Sequence, residues 1–197
     1  MRRIPKLTML IMIIIVTLLS ACAAQDTNVN PYFVPHLPRP LAHERAVITS
    51  AGQGAEGLVI SKIASQLNIK NRFWRKVRGK DLSDRYDGLI IVLGLSYQNM
   101  ERLKTNTAEE KKRLAALAKG AKELGIAVVM INAGKLYRHS ETDIMAQLLA
   151  PYTDYIIVVG EGNYDGLFSQ LAFQEDIPIT IVKDLQKIKT PLNSVFR

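Results

Sequence analysis

The sequence predicts a doubly wound α/β/α sandwich: three layers around a mostly parallel sheet of five or six strands, Rossmann- or flavodoxin-like. Two observations carry this. From residue 46 onward, short apolar runs alternate with stretches of helical periodicity. Several of those runs are apolar throughout, as strands covered on both faces must be. Strands and helices in strict alternation specify a parallel sheet joined by right-handed crossovers.

Taken in order, Ala46-Val47-Ile48-Thr49 is a short strand leading into Ser50-Ala51-Gly52-Gln53-Gly54. Leu58, Ile60, Ile63, Ala64 and Leu67 then recur with roughly helical spacing. Residues 69–78 are an ambiguous second strand, and 88–93 is a continuous apolar run. Thr107-Ala108-Glu109-Glu110 has the form of a capping box, in which hydroxyl and acid satisfy free backbone N–H groups. Leu114, Leu117, Ala118, Ala121 and Leu124 form one face of that helix, which Gly125 terminates. A buried strand follows at 126–131. Ser140-Glu141-Thr142-Asp143 is a second capping pattern, and Pro151 ends its helix. A strand at 155–159, a helix at 166–173 and a last strand at 177–182 complete the alternation, with a short helix expected near Leu185. Strand order is left open.

The N-terminal part reads differently. Arg2, Arg3 and Lys6 precede an apolar run from Leu7 to Leu19, short for a bilayer span of about 20 residues. Charge, run and the small residues Ser20 and Ala21 have the form of a signal peptide over 1–21. Leu19-Ser20-Ala21-Cys22 resembles a lipobox, which implies cleavage before Cys22, lipid on its sulfur and a mature chain anchored outside the cytoplasm. Cys22 is the only cysteine, so a lipidated Cys22 leaves none for disulfides, thiolate metal sites or a thiol nucleophile. Residues 22–45 read as a tether, since Pro31, Pro35, Pro38 and Pro40 favour extended chain. The remainder, 46–197, has the length of one domain.

Composition narrows the partners. The chain carries +8, and the signal segment holds three of the cations and no acid, so the mature protein is about +5. On an exported protein that balance points to anionic lipid, cell-wall polymer or a small anionic ligand before nucleic acid. Three histidines, none in ligand spacing with an acid, predict no metal site. A basic run from Lys70 to Lys80, interleaved with Phe73 and Trp74, is either a docking surface or an edge strand protected by charge.

In doubly wound folds ligands bind beyond the carboxyl ends of the strands, which selects four loops. The first offers Ser50, Gly52 and Gln53 ahead of a helix start; it lacks the lysine of a Walker loop. Ser96 is the candidate of the second. In the third, Arg138 is placed to clamp a carboxylate or phosphate, and His139 is a weak candidate base. In the fourth, Gly160-Glu161-Gly162-Asn163-Tyr164-Asp165-Gly166 is one residue longer than a dinucleotide fingerprint. Asp184 stands roughly where a ribose-binding acid would sit, but a nicotinamide cofactor is not expected outside the cytoplasm. Asn163 and Asp165 either cap the following helix or bind a polar ligand.

These segments resemble a bacterial family known only as a domain of unknown function and often exported. The likeness rests on Thr49-Ser50-Ala51-Gly52-Gln53, Val92-Leu93-Gly94-Leu95-Ser96, residues 138–143, Asp154-Tyr155-Ile156-Ile157-Val158-Val159, Gly162-Asn163-Tyr164-Asp165-Gly166-Leu167-Phe168 and Ile177-Pro178, and covers about 46–184. It implies no activity. The leading expectation is a membrane-tethered binding module holding a small polar or anionic ligand at the strand-end loops, without a cofactor. The alternatives are an envelope hydrolase with Ser50 or Ser96 as nucleophile and His139 as base, and a non-catalytic partner in an envelope complex.

Overall fold

The computed structural model describes residues 32–43, 45–134 and 138–197. Cys22, the signal segment and the first part of the tether lie outside the described residues. Six parallel strands form one sheet: β1 (Arg45–Ala51), β2 (Lys70–Phe73), β3 (Gly88–Leu93), β4 (Ala127–Asn132), β5 (Tyr155–Val159) and β6 (Ile179–Val182), in the order β2-β1-β3-β4-β5-β6. The chain winds outward from β1 to β2, returns past β1 to β3, and proceeds through β4 and β5 to β6. The switch in strand order therefore falls between β1 and β3.

The helices are α1 (Glu56–Gln66), α2 (Tyr97–Arg102), α3 (Thr107–Glu123), α4 (Ser140–Leu149), α5 (Leu167–Gln174) and α6 (Lys189–Ser194). Alternate residues of each strand point to opposite faces, and the two faces carry separate cores. Ile48, Ile90, Val92, Val129, Ile131 and Ile157 pack with Ile60 and Ala64 of α1 and Leu192 of α6. Val47, Leu89, Ile91, Val128, Met130 and Ile156 pack with Leu114 and Leu117 of α3, Met145 of α4 and Phe168 of α5. The predicted three-layer sandwich is the observed one, with six strands.

Details differ where local chemistry offered two choices. The cap of α3 is Asn106, whose side chain accepts from Glu109 N at 2.9 Å, one residue before the expected Thr107. At α4 the N-cap position is His139, so Ser140 is already helical. The ambiguous second strand is the four-residue edge β2, with Lys70 and Arg72 exposed.

Residues 32–43, assigned to the tether on their prolines, run through a series of bends along the domain. Phe33 pairs in parallel with Ile179, Val34 N donates to Ile179 O at 2.9 Å, and Ile179 N donates to Tyr32 O at 2.8 Å. Leu37 and Ala42 are buried in the core beneath α1 and α6. The open side of β6 is thereby covered, as an edge strand requires.

Candidate functional site

Loops β1–α1 and β3–α2 meet at the switch point. Gly94 N donates to Ala51 O at 2.9 Å, Gly54 N to Gly94 O at 2.8 Å and Ser96 N to Gly52 O at 2.8 Å. Gly52 has φ +91°, and a Cβ there would lie 2.7 Å from Gly94 O, so this approach requires glycine. Backbone bridges the two loops, and their predicted ligand groups are turned inward. Ser50 Oγ is fully buried and donates to Gly54 O at 2.8 Å. Gln53, also fully buried, donates its amide to Glu110 Oε1 at 2.9 Å. Ser96 accepts from Asn99 N at 3.2 Å and caps α2.

Behind Gln53 lies an ion pair in which Glu110, expected as the acid of a capping box, instead meets Arg113. Arg113 Nε and Nη2 reach the two carboxylate oxygens of Glu110, each at 2.8 Å, with side-chain exposures of 9% and 1%. Arg113 also donates to Ser50 O and Val77 O at 2.9 Å, and Gly52 N donates to Glu110 at 3.1 Å. The signal was present: Glu110 lies on the same face of α3 as Leu114, Leu117 and Ala121, where an acid needs a buried partner.

The pocket opens one strand further along, at the carboxyl ends of β3 and β4. It encloses about 80 Å³ and is lined by Leu93 at the end of β3 with Gly94 and Leu95 beyond it, Asn132 at the end of β4 with Gly134 beyond it, Glu56 of α1, and Arg138, His139 and Thr142 at α4. Gly94 forms a wall against which Glu56 lies: a Cβ would sit 2.3 Å from the Glu56 carboxylate. Asn132 is buried and donates to Gly162 O at 3.1 Å, tying the pocket floor to the fourth loop. Of the predicted residues, Arg138 and His139 line this pocket; Ser50, Gln53, Ser96, Asn163 and Asp165 do not. Residues 135–137 of the third loop lie outside the described residues.

The Arg138 side chain is 4% exposed and heavily engaged. Nε donates to Asp143 at 2.7 Å, Nη2 to Asp165 at 2.6 Å and Nη1 to Gly162 O. Its guanidinium also faces the Tyr164 and Phe168 rings at 5.5 and 5.1 Å. Burial works against its charge, but Asp143 and Asp165 outweigh burial and raise its pKa. Burial likewise opposes the Asp165 carboxylate, while the Leu167 N–H and the Arg138 guanidinium hold its pKa below the usual value. Asn163 accepts from Phe168 N at 3.0 Å and Asp165 from Leu167 N at 3.2 Å, so both satisfy first-turn N–H groups of α5, whose N-cap residue is Gly166. His139 stacks edge-on against Tyr97 at 5.9 Å between centroids. Among the described residues it bonds to neither Ser50 nor Ser96, whose hydroxyls have the partners named above. Also among the described residues, no three His, Cys, Asp or Glu side chains are grouped to hold a metal.

Residues 43–196 match the family described as Domain of unknown function (DUF6305). The chain belongs to that family. No curated protein matches it in sequence. The DUF6305 region begins beside the docked N-terminal segment and takes in all six strands, the pocket and the buried Glu110–Arg113 pair.

Proposed function

We propose that this DUF6305 protein is an extracytoplasmic binding protein, anchored to a bacterial membrane through lipid on Cys22, that takes a small polar ligand into the pocket beyond β3 and β4. The observation supporting the binding reading is the make-up of that pocket. It lies at the carboxyl edge of a doubly wound sheet, where ligands of such folds bind, and a few polar groups converge there: Glu56, Asn132, Arg138 and His139. The anchor rests on the lipobox-like Leu19-Ser20-Ala21-Cys22 behind its apolar run.

Charge refines the ligand class. Arg138 is matched by two carboxylates, Asp143 and Asp165. An anion would have to displace Asp143 or Asp165 from Arg138. A neutral hydroxylated compound or an amine would leave both of those Arg138 bonds in place. Thermal-shift screening of the full chain in detergent against polyols, sugars, amines and anions tests this. A neutral or amine compound should raise the melting temperature, and Glu56→Gln or Asn132→Ala should weaken that shift about tenfold in concentration. The reading fails if no such compound gives a shift sensitive to either substitution. Intact-mass measurement of the mature protein checks the anchor: a lipid adduct on Cys22, lost in Cys22→Ser, is expected, and an unmodified Cys22 would overturn it.

A further inference from the structure

A second concave site, unrelated to the pocket, lies between α3 and the chain that follows β2. Its volume is about 430 Å³, within the roughly 300–1,000 Å³ usual for small-molecule sites. Lys76 and Arg78 form one wall, Lys104 and Thr105 the next, and Glu109, Lys112 and Arg113 of α3 the third. The charges do not balance. Arg113 is neutralised by Glu110. Lys76, Arg78, Lys104 and Lys112 make no ion pair among the described residues, and Glu109 is the single acid left to face them. Glu109 itself accepts from the Thr105 hydroxyl at 3.0 Å.

The groove is also built rather than incidental. Lys76 Nζ donates to Leu103 O at 3.1 Å, joining the two outer walls. The buried Glu110–Arg113 pair, bonded to Val77 O and Ser50 O, fixes the floor against the sheet. A concave surface lined by one sign of charge concentrates counter-ions, because field lines focus in the cleft. Lysines bind phosphate as point charges without needing a fixed fork.

We infer that this groove binds a soluble anion carrying two or more phosphates. The four cations less Glu109 leave a net charge of about +3, more than the roughly −2 of a single phosphate can offset. A lipid headgroup is the poorer fit, because the groove opens at the carboxyl edge of the sheet. The N-terminal segment enters at the opposite edge, where Tyr32 bonds to Asp176 just before β6. The inference is independent of the pocket reading, since the two sites share no lining residue.

Titration of the full chain in detergent with inorganic tripolyphosphate, by calorimetry at low and moderate salt, tests it. Saturable binding is expected, weakening several-fold as salt rises. Reversing two exposed walls in Lys76→Glu/Lys112→Glu should weaken binding at least tenfold. Lys62→Glu, on the exposed side of α1, should change it less than twofold. Circular dichroism of each variant confirms that the fold is kept. Absence of saturable binding, equal binding by the double variant, or binding confined to vesicles containing phosphatidylglycerol would each overturn the inference.

Discussion

At the scale of single residues, the buried Glu110–Arg113 pair does most to hold the switch-point loops in place. Two charge-assisted bonds join it, and Gly52 N, Gln53, Ser50 O and Val77 O complete it. Removing one partner of such a pair strands a buried charge, at a cost of about 3–5 kcal/mol, whereas replacing both by apolar groups is often near neutral. Arg113→Met should therefore lower the urea midpoint strongly, and Glu110→Leu/Arg113→Met should recover part of that loss. A double variant as unstable as the sum of the singles would refute the coupling. Arg138 and Asp165 present a version of the same chemistry in which the cation is buried and the carboxylate is partly exposed. Asp165 titrates below its ordinary value of 3.8 in the folded protein. Its ionised form therefore adds stability above that value, and the gain is lost as pH falls through the lower folded value. Asp143 and Asp165 are 31% and 36% exposed, so solvent screens the gain. Asp165→Asn keeps an acceptor for Leu167 N and removes only the charge. It should melt lower than wild type at neutral pH, with the gap closing in acid; a gap that persists at pH 2 would contradict this account.

At the scale of elements, caps and close approaches fix where each helix begins. Asn106 satisfies the Glu109 N–H at the start of α3, so Asn106→Ala should cost about 1 kcal/mol in denaturant unfolding. Thr107→Ala should cost less, since Thr107 is already inside the helix. Equal losses would return the cap to Thr107. This one-residue ambiguity shows how far the sequence is legible. Asn106 and Thr107 are both good capping residues, and only the backbone angle of the actual cap separates them. Strands β3, β4 and β5 are unmistakable because burial on both faces requires apolar residues throughout. Strand β2 is not, because an edge of four residues with alternating exposure resembles a charged loop. For the site, the strand-end rule and the glycines locate the right edge of the sheet. They do not say which way a side chain turns: Ser50 and Gln53 look like ligand groups in a glycine-rich loop, yet tertiary contacts bury them. Glu56 shows the converse. As a first-turn acid it suits any helix start, and only folding sets its carboxylate against Gly94.

At the scale of the whole molecule, the N-terminal segment belongs to the fold from Tyr32 onward. It closes the β6 edge, and a chain of hydroxyls secures it: Tyr155 OH bonds to Thr180, and Thr180 Oγ1 donates to Val34 O at 2.8 Å. Burial pushes the Tyr155 phenol up to about 12, against the opposing hydrogen bonds of Thr180 and Ser194, so it stays neutral. Cys22 lies ten positions before Tyr32, at most about 35 Å of extended chain. An anchor on Cys22 would thus hold the body nearer the membrane than a free tether of 22–45 allows, with the carboxyl-edge sites on the far side. Whether the segment is structural can be measured directly. Leu37 and Ala42 are 7% and 2% exposed, and burying a leucine contributes about 2 kcal/mol. A chain beginning at residue 32 should therefore match the thermal stability of the mature protein, while one beginning at residue 44 should melt several degrees lower. Ile179 N–H, which donates to Tyr32 O, should then exchange with solvent far faster, while Ile156 N–H, which donates to Pro178 O, should keep most of its protection. Equal melting temperatures and unchanged exchange at Ile179 would mean that residues 32–43 are a spacer resting on the domain, and the orientation argued from them would go with it.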